Sequence, residues 1–425
     1  MKHFLRSSRT IVPALVPALV VAAGLVSAPT ADAKTLVDAV KGGTPLINIR
    51  YRYENVDMDA MNRDAHANTV RTRIGYRTDW WQDLQATVEF ENITVVGEEK
   101  YNDTMSGKPY PVVVDPEDTE LDQGFVAFRG IKDTSISAGR QRINIMNQRF
   151  IGAVLFRQND QTLDSVMITN KSIPNLTARY LHIWNVNRVF GNDSMAGDWN
   201  SNINWGQLSY KTPLGTLTGY TLFLDVDEQS GGAFSAFSSK TFGGRFQGKT
   251  KITDGITALY AFDYAHQNDL GDNMGDYSLD YYLIEPGVSF AGLTAKLGYE
   301  VLEGDWTNAF QTQLGTIHAF QGAADLFLVT PARGIEDAYT KLKYKVSNLG
   351  VLSGTVLSFV YHDFDSNAGH TNYGSEWGAK IARKFKTDYG TFAVSAEHAN
   401  FNADNDNGLG YQDVHKTWLT ASVAY

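Results

Sequence analysis

The run Leu46-Ile47-Asn48-Ile49-Arg50-Tyr51-Arg52-Tyr53-Glu54 places Ile47, Ile49, Tyr51 and Tyr53 on one face of an extended chain and Asn48, Arg50, Arg52 and Glu54 on the other. Successive side chains of a strand point to opposite faces, so strict alternation marks a strand with one apolar and one polar side. Val70, Thr72, Ile74 and Tyr76 oppose Arg71, Arg73, Gly75 and Arg77 in the same way. The pattern recurs eighteen times, near 46–54, 68–79, 83–92, 119–130, 133–141, 160–170, 174–187, 200–211, 215–226, 240–251, 255–267, 276–289, 292–303, 335–346, 350–364, 373–384, 388–401 and 413–425. Helical periodicity is confined to a short turn at Leu36–Lys41.

Between these segments long and short gaps alternate, from 55–67 and 80–82 to 385–387 and 402–412. Short links such as Thr212-Pro213-Leu214 and Ser347-Asn348-Leu349 suit tight turns. An even strand number with one set of short turns and one set of long loops predicts an all-β, antiparallel, up-and-down transmembrane β-barrel. Its short turns and both termini lie on the periplasmic side and its long loops are extracellular.

Composition agrees. After the amino terminus no stretch supplies the ~20 continuous apolar residues of a spanning helix, yet the chain carries 21 Tyr, 22 Phe, 8 Trp and 38 Gly with 11 Pro. A barrel hides its hydrophobicity in this way, at alternate positions. Lys2, Arg6 and Arg9 precede an apolar run from Ile11 to Ala28 that ends at Ala31-Asp32-Ala33, the pattern of a signal peptide removed after residue 33. Residues 34–45 then form a short periplasmic segment and 46–425 the barrel. Removing three basic residues and one acid takes the formal charge from −10 to −12. Cysteine is absent, which excludes disulfides and cysteine-based metal or nucleophile chemistry.

If the apolar positions face lipid, the opposite ones line the lumen. Arg50, Arg52, Arg71, Arg73, Arg77, Arg245, Lys249, Lys251, Lys296, Lys341, Lys343, Lys345, Lys380 and Lys416 fall there, against Glu54, Glu89, Glu91, Glu300, Glu376 and Glu397. The wall is net basic and the excess acid lies in loops, as at Glu98-Glu99 and Asp115–Glu120. Such a lumen draws anions. Strand direction puts Arg50, Arg52, Arg71 and Arg73 at mid-lumen and Lys249, Lys251, Lys343 and Lys345 at the periplasmic mouth. The arginines either select solutes or brace the wall against Glu54, Glu89 and Glu91.

Several further runs carry a resemblance: Asn68-Thr69-Val70-Arg71-Thr72-Arg73-Ile74-Gly75-Tyr76, Gly139-Arg140-Gln141-Arg142-Ile143, Asn147-Gln148-Arg149-Phe150-Ile151-Gly152, Arg157-Gln158-Asn159-Asp160-Gln161-Thr162-Leu163-Asp164, and Phe310–Leu314 through His318, Asp325 and Pro331. With Leu46–Glu54 they resemble the alginate export family of bacterial outer-membrane porins. The resemblance implies a monomeric eighteen-stranded barrel with an arginine-rich constriction passing an anionic polysaccharide. It implies Arg71, Arg73, Arg140, Arg142, Arg149 and Arg157 as pore cations with Asp160 and Asp164 beside them; guanidinium stays charged and offers a planar fork to a carboxylate. Arg140 and Arg142 share the phase of Ile136 and Ala138, so a bulge or strand end must intervene if both point inward. The segment 304–334, aromatic and poorly charged, either folds into the barrel as a constriction or packs outside it.

The expected function is a passive channel for anionic solutes, a uronate saccharide or a smaller anion, with no cofactor. A plugged structural or adhesive barrel is the rival reading. Ser395, His398 and His362 lack a nucleophile motif, which argues against an enzyme. Asn402–Gly408 offers Asp404 and Asp406 as weak calcium ligands, with the glycine one position late and no closing glutamate. No basic external run supports nucleic-acid binding. Expected partners are outer-membrane lipid and lipopolysaccharide, and the assembly machinery through the carboxyl-terminal Tyr425.

Overall fold

The computed structural model describes residues 35–227, 233–271, 273–388, 390–404 and 409–425. The signal-peptide segment and Asp406 lie outside them.

Eighteen strands form: β1 (Thr44–Met58), β2 (Ala65–Arg77), β3 (Leu84–Val95), β4 (Asp118–Ile131), β5 (Thr134–Gln141) and β6 (Thr162–Asn170). There follow β7 (Leu176–Asn187), β8 (Asp198–Thr212), β9 (Gly215–Leu224), β10 (Ser239–Thr253), β11 (Ile256–Asp269) and β12 (Ser278–Phe290). The last are β13 (Leu293–Leu302), β14 (Ile335–Lys345), β15 (Val356–Asp365), β16 (Asn372–Thr387), β17 (Gly390–Ala403) and β18 (Val414–Ala424). Each pairs antiparallel with its sequence neighbours, and β1 pairs with both β2 and β18, setting Ile49 between Thr72 and Val423. The sheet is closed. Closure satisfies the backbone that lipid cannot, and leaves no edge for another chain.

Burial follows the alternation. Arg50, Arg52 and Glu54 are 9%, 4% and 0% exposed, whereas Ile47, Ile49 and Tyr51 on the outer face are 40%, 41% and 39%. The outer apolar band suits a bilayer, where every side chain leaving water contributes about 25 cal/mol per Å² of apolar surface. Before β1, helix α1 (Leu36–Lys41) is held by a capping box in which the Thr35 hydroxyl accepts from the Asp38 N–H at 3.1 Å. It docks under the barrel, where the Asp79 N–H donates to the Ala39 carbonyl at 2.9 Å.

One strand starts later than its sequence pattern. Residues 350–352 form a 3₁₀ turn and β15 begins at Val356, so the connection 346–355 is longer than the external loop 366–371. The alternation of long and short links breaks there because exposed Leu349, Val351 and Leu352 imitate a strand face without pairing.

The lumen is largely filled on one side. Phe150 lies 5.0 Å from Tyr220 and 5.8 Å from Tyr281 between ring centroids, Tyr281 lies 5.6 Å from Phe310, and Trp205 stacks on Tyr220 at 5.2 Å. Fully burying a phenylalanine is worth about 1.5–3 kcal/mol, so this aromatic column anchors the loops carrying Phe150 and Phe310.

Candidate functional site

Two long loops, 142–161 and 303–334, turn inward and lock to each other. The Gly152 N–H donates to the Leu314 carbonyl at 2.9 Å, the Thr316 N–H to the Gln148 carbonyl at 2.9 Å, and the Gln161 side-chain amide to the Leu314 carbonyl at 2.9 Å. Phe327 packs 4.8 Å from Phe364 on β15 and 5.5 Å from Tyr373 on β16, so 303–334 lies inside the barrel and forms part of its constriction.

Arg71, Arg73, Arg142 and Asp160 come together in one buried cluster. Arg73 Nη2 is 2.7 Å from Asp160, Arg142 Nε is 2.6 Å from the same carboxylate, and Arg73 also pairs with Glu91 and Asp122. Arg142 reaches Glu89 and Asp122, while Arg71 Nε lies 3.7 Å from Glu91. Carboxylate oxygens of Glu91, Asp122 and Asp160 lie within 4.8 Å of one another. Arg73 pairs with all three of these carboxylates and Arg142 with Asp122 and Asp160. Burial works against charge on Arg142, yet Asp160, Asp122 and Glu89 hold its pKa above the usual value. These arginines are neutralised where they stand and brace the wall.

Arg142 points inward because β5 ends at Gln141. Arg140 and Asp164 do not join the cluster. They face each other in register as a bidentate pair, 2.7 and 3.0 Å, on the opposite face from the buried Gln141–Ser165 contact. Arg149 is sealed at 1% exposure, donating to Gln321 at 2.9 Å beside Glu300 and lying 4.5 Å over the Phe320 ring.

The other three expected residues, Arg50, Arg52 and Arg157, meet at the tip of 142–161. Arg50 donates to Gln158 Oε1 at 2.8 Å, to the Leu155 carbonyl at 2.8 Å and to the Arg157 carbonyl, and so fixes the turn. Arg157 bridges Glu54 at 3.1 Å and Asp325 at 3.0 Å. Asp325 also receives His318 Nδ1 at 2.7 Å and lies 3.6 Å from Lys416. Arg52 has the Phe156 ring 4.4 Å from its guanidinium carbon, and its Nε and Nη1 have no hydrogen-bond partner among the described residues. Neither Arg50 nor Arg52 is ion-paired with a carboxylate among the described residues. Val154, which opens the turn, has φ +51°, a left-handed conformation costing a β-branched residue about 1–3 kcal/mol.

Above this tip a cavity of about 580 Å³ is lined by Val56, Met58, Tyr110, Val112, Leu326 and Val329, with Arg157, His318 and Lys416 at its floor. Below it a cavity of about 320 Å³ is bounded by Arg50, Arg52, Lys380, Ser395, Thr420 and Ser422.

Among solved structures the barrel is similar to Acinetobacter baumannii OccAB4, with a TM-score of 0.70 at 14% identity over 90% of this chain and 98% of that one. Pseudomonas aeruginosa OpdO gives 0.70 at 12% over 92% and 98%, and Pseudomonas aeruginosa OccK9 (OpdG) 0.70 at 12% over 91% and 100%. The fold is that of an outer-membrane porin. These neighbours are Occ/Opd porins rather than alginate exporters, so the resemblance holds at the level of the porin fold and not of the narrower family. No family model matches the chain, and no curated protein does. The barrel and its apolar band belong in the outer membrane of a Gram-negative bacterium.

Within this porin fold, Phe156, Trp418, Gln158 and Asp115 are site residues that alternation could not reveal, since three lie in loops and Trp418 reads as one more inward strand position. Burial raises the Asp115 carboxyl against the pull of Arg157 and Arg52, and its Oδ1 accepts the Gln158 N–H at 2.8 Å. Ser395 shares the inward face with Glu397, whereas His398 bonds Thr417 on the outer face and His362 is held by Asp337, so the three do not converge.

Proposed function

We propose that this protein is a passive channel for small anionic organic solutes, which pass along the wall formed by β16, β17, β18 and β1. The observation carrying the reading is the pair Arg50 and Arg52, buried on the inward face with no carboxylate ion-paired to either among the described residues, on a side where cavities lie above and below the tip. Cations in a narrow lumen of low dielectric attract anions and repel cations. The apolar upper cavity favours a solute with a hydrocarbon part beside its charge.

A uronate oligosaccharide is the second reading. The lower cavity supports it, because Ser395, Thr420 and Ser422 offer partners for hydroxyl groups and Arg50 and Arg52 at its edge for a carboxylate, while Lys380 is paired with Glu397 at 2.7 Å. Single-channel current of the refolded protein, with a salt-gradient reversal potential, tests both. Anion-selective current that weakens in Arg52→Gln and is blocked by short aliphatic or aromatic carboxylates is the expected outcome. Block by uronates alone selects the second reading, and cation selectivity or absent current overturns both.

A further inference from the structure

The two cavities share no lining residue. Val154 and Arg157 face the upper one and Leu155 and Phe156 the lower, so the four-residue turn is the partition between them. The Phe156 ring closes it. His318 stacks on one side at 3.5 Å between centroids and 19° between planes, and Trp418 meets the ring edge-on at 5.6 Å. The aromatic column and the arginine–carboxylate cluster are buried elsewhere in the lumen, and the two cavities meet this turn from opposite sides. A route through the molecule therefore runs across Phe156.

The backbone of the turn is fixed while one of its side chains is not. Arg50 ties down its carbonyls, Asp325 ties down Arg157 and His318, and Val154 keeps its strained conformation between them. Phe156 has no such tether; it is held by ring contacts with His318, Trp418 and the two arginines Arg52 and Arg157. Beside it, two nitrogens of Arg52 and the indole Nε1 of Trp418 are buried donors without a hydrogen-bond partner among the described residues. Buried donors left unpaired in this way call for an acceptor.

We propose that Phe156 is the movable gate of the conduit, and that swinging it aside presents Arg52 and the Trp418 indole N–H to the anionic group of the passing solute. The proposal rests on the channel reading above. It makes the gate a side-chain rotation in a fixed loop, so opening needs no movement of a strand or of the loop backbone.

The chain contains no cysteine, which permits a clean test. Val154→Cys and Leu155→Cys are reacted in planar bilayers with a charged, membrane-impermeant thiol reagent added to one chamber. Val154→Cys should react at least about 10-fold faster from the extracellular chamber and Leu155→Cys from the periplasmic one, a difference that Phe156→Ala abolishes. Phe156→Ala should also raise unitary conductance about 2-fold, with Phe156→Leu in between, as expected where an apolar constriction sets the flow. Heat-modifiable migration shows that each variant is folded. Wild-type current with labelling equal from both chambers, or conductance unchanged in folded Phe156→Ala, overturns the gate and leaves the channel standing. Absence of current in the wild type and in every folded variant overturns the channel reading, and the gate with it.

Discussion

Arg73 shows how one side chain sets the stability of the wall. It meets Glu91, Asp122 and Asp160 where all four are buried, so Arg73→Ala leaves three carboxylates short of a counter-charge. Breaking a buried ion pair from one side costs about 3–5 kcal/mol, and urea unfolding of Arg73→Ala in detergent should show a loss of that order. Asp325 carries a pH consequence. Burial acts to raise its carboxyl, but His318, Lys416 and Arg157 outweigh that and hold it far below the ordinary carboxylate range. A depressed carboxyl stabilises the fold above its unfolded pKa of about 3.9, and this is lost only as pH falls through the lower folded value. The tethers of Asp325 should therefore hold down to about pH 4, so its loss in Asp325→Asn should give a noisier, unsteady current at neutral pH that acidification to about pH 4 does not reproduce in the wild type. Alternation placed Arg50, Arg52, Arg71 and Arg73 on the inward face. It could not show which are neutralised, because Arg157 and Asp325 stand 168 residues apart and only folding sets them together.

At the scale of elements, the strands were readable and the inward loops were not. Alternation found every strand because each has one apolar and one polar side, and it overran at residues 350–355, where apolar Val351 and Leu352 belong to a turn ahead of β15 and not to the strand. The loops 142–161 and 303–334 have no period to read; what fixes them is close approach. Gly315 is an instance, since a Cβ there would overlap the Arg149 backbone carbonyl. Gly315→Val should push 303–334 away from 142–161, and the loop should then become open to protease in folded barrels while the wild type resists. Arg140 and Asp164 illustrate the limit of matching motifs. Their two runs in the sequence suggested a pore cation and an acidic neighbour, but both side chains keep the phase of Ile136 and Ala138, on the face opposite the buried Gln141–Ser165 contact.

For the whole molecule, charge counts mislead unless pairing is known. The wall is rich in Arg and Lys, yet Arg71, Arg73 and Arg142 are matched by Glu89, Glu91, Asp122 and Asp160, and Lys380 by Glu397 at 2.7 Å, so along the proposed conduit the field comes chiefly from Arg50 and Arg52. Arg52→Gln should accordingly move the reversal potential toward zero. The aromatic column built on Phe150, Tyr220, Tyr281 and Phe310 has a consequence for how such a barrel diversifies. By filling one side of the lumen it confines the proposed conduit to an off-axis keyhole, narrower than the ring of strands around it. Permitted solute size is thereby uncoupled from strand number, and a few substitutions in two loops can recut the keyhole while every strand keeps its register.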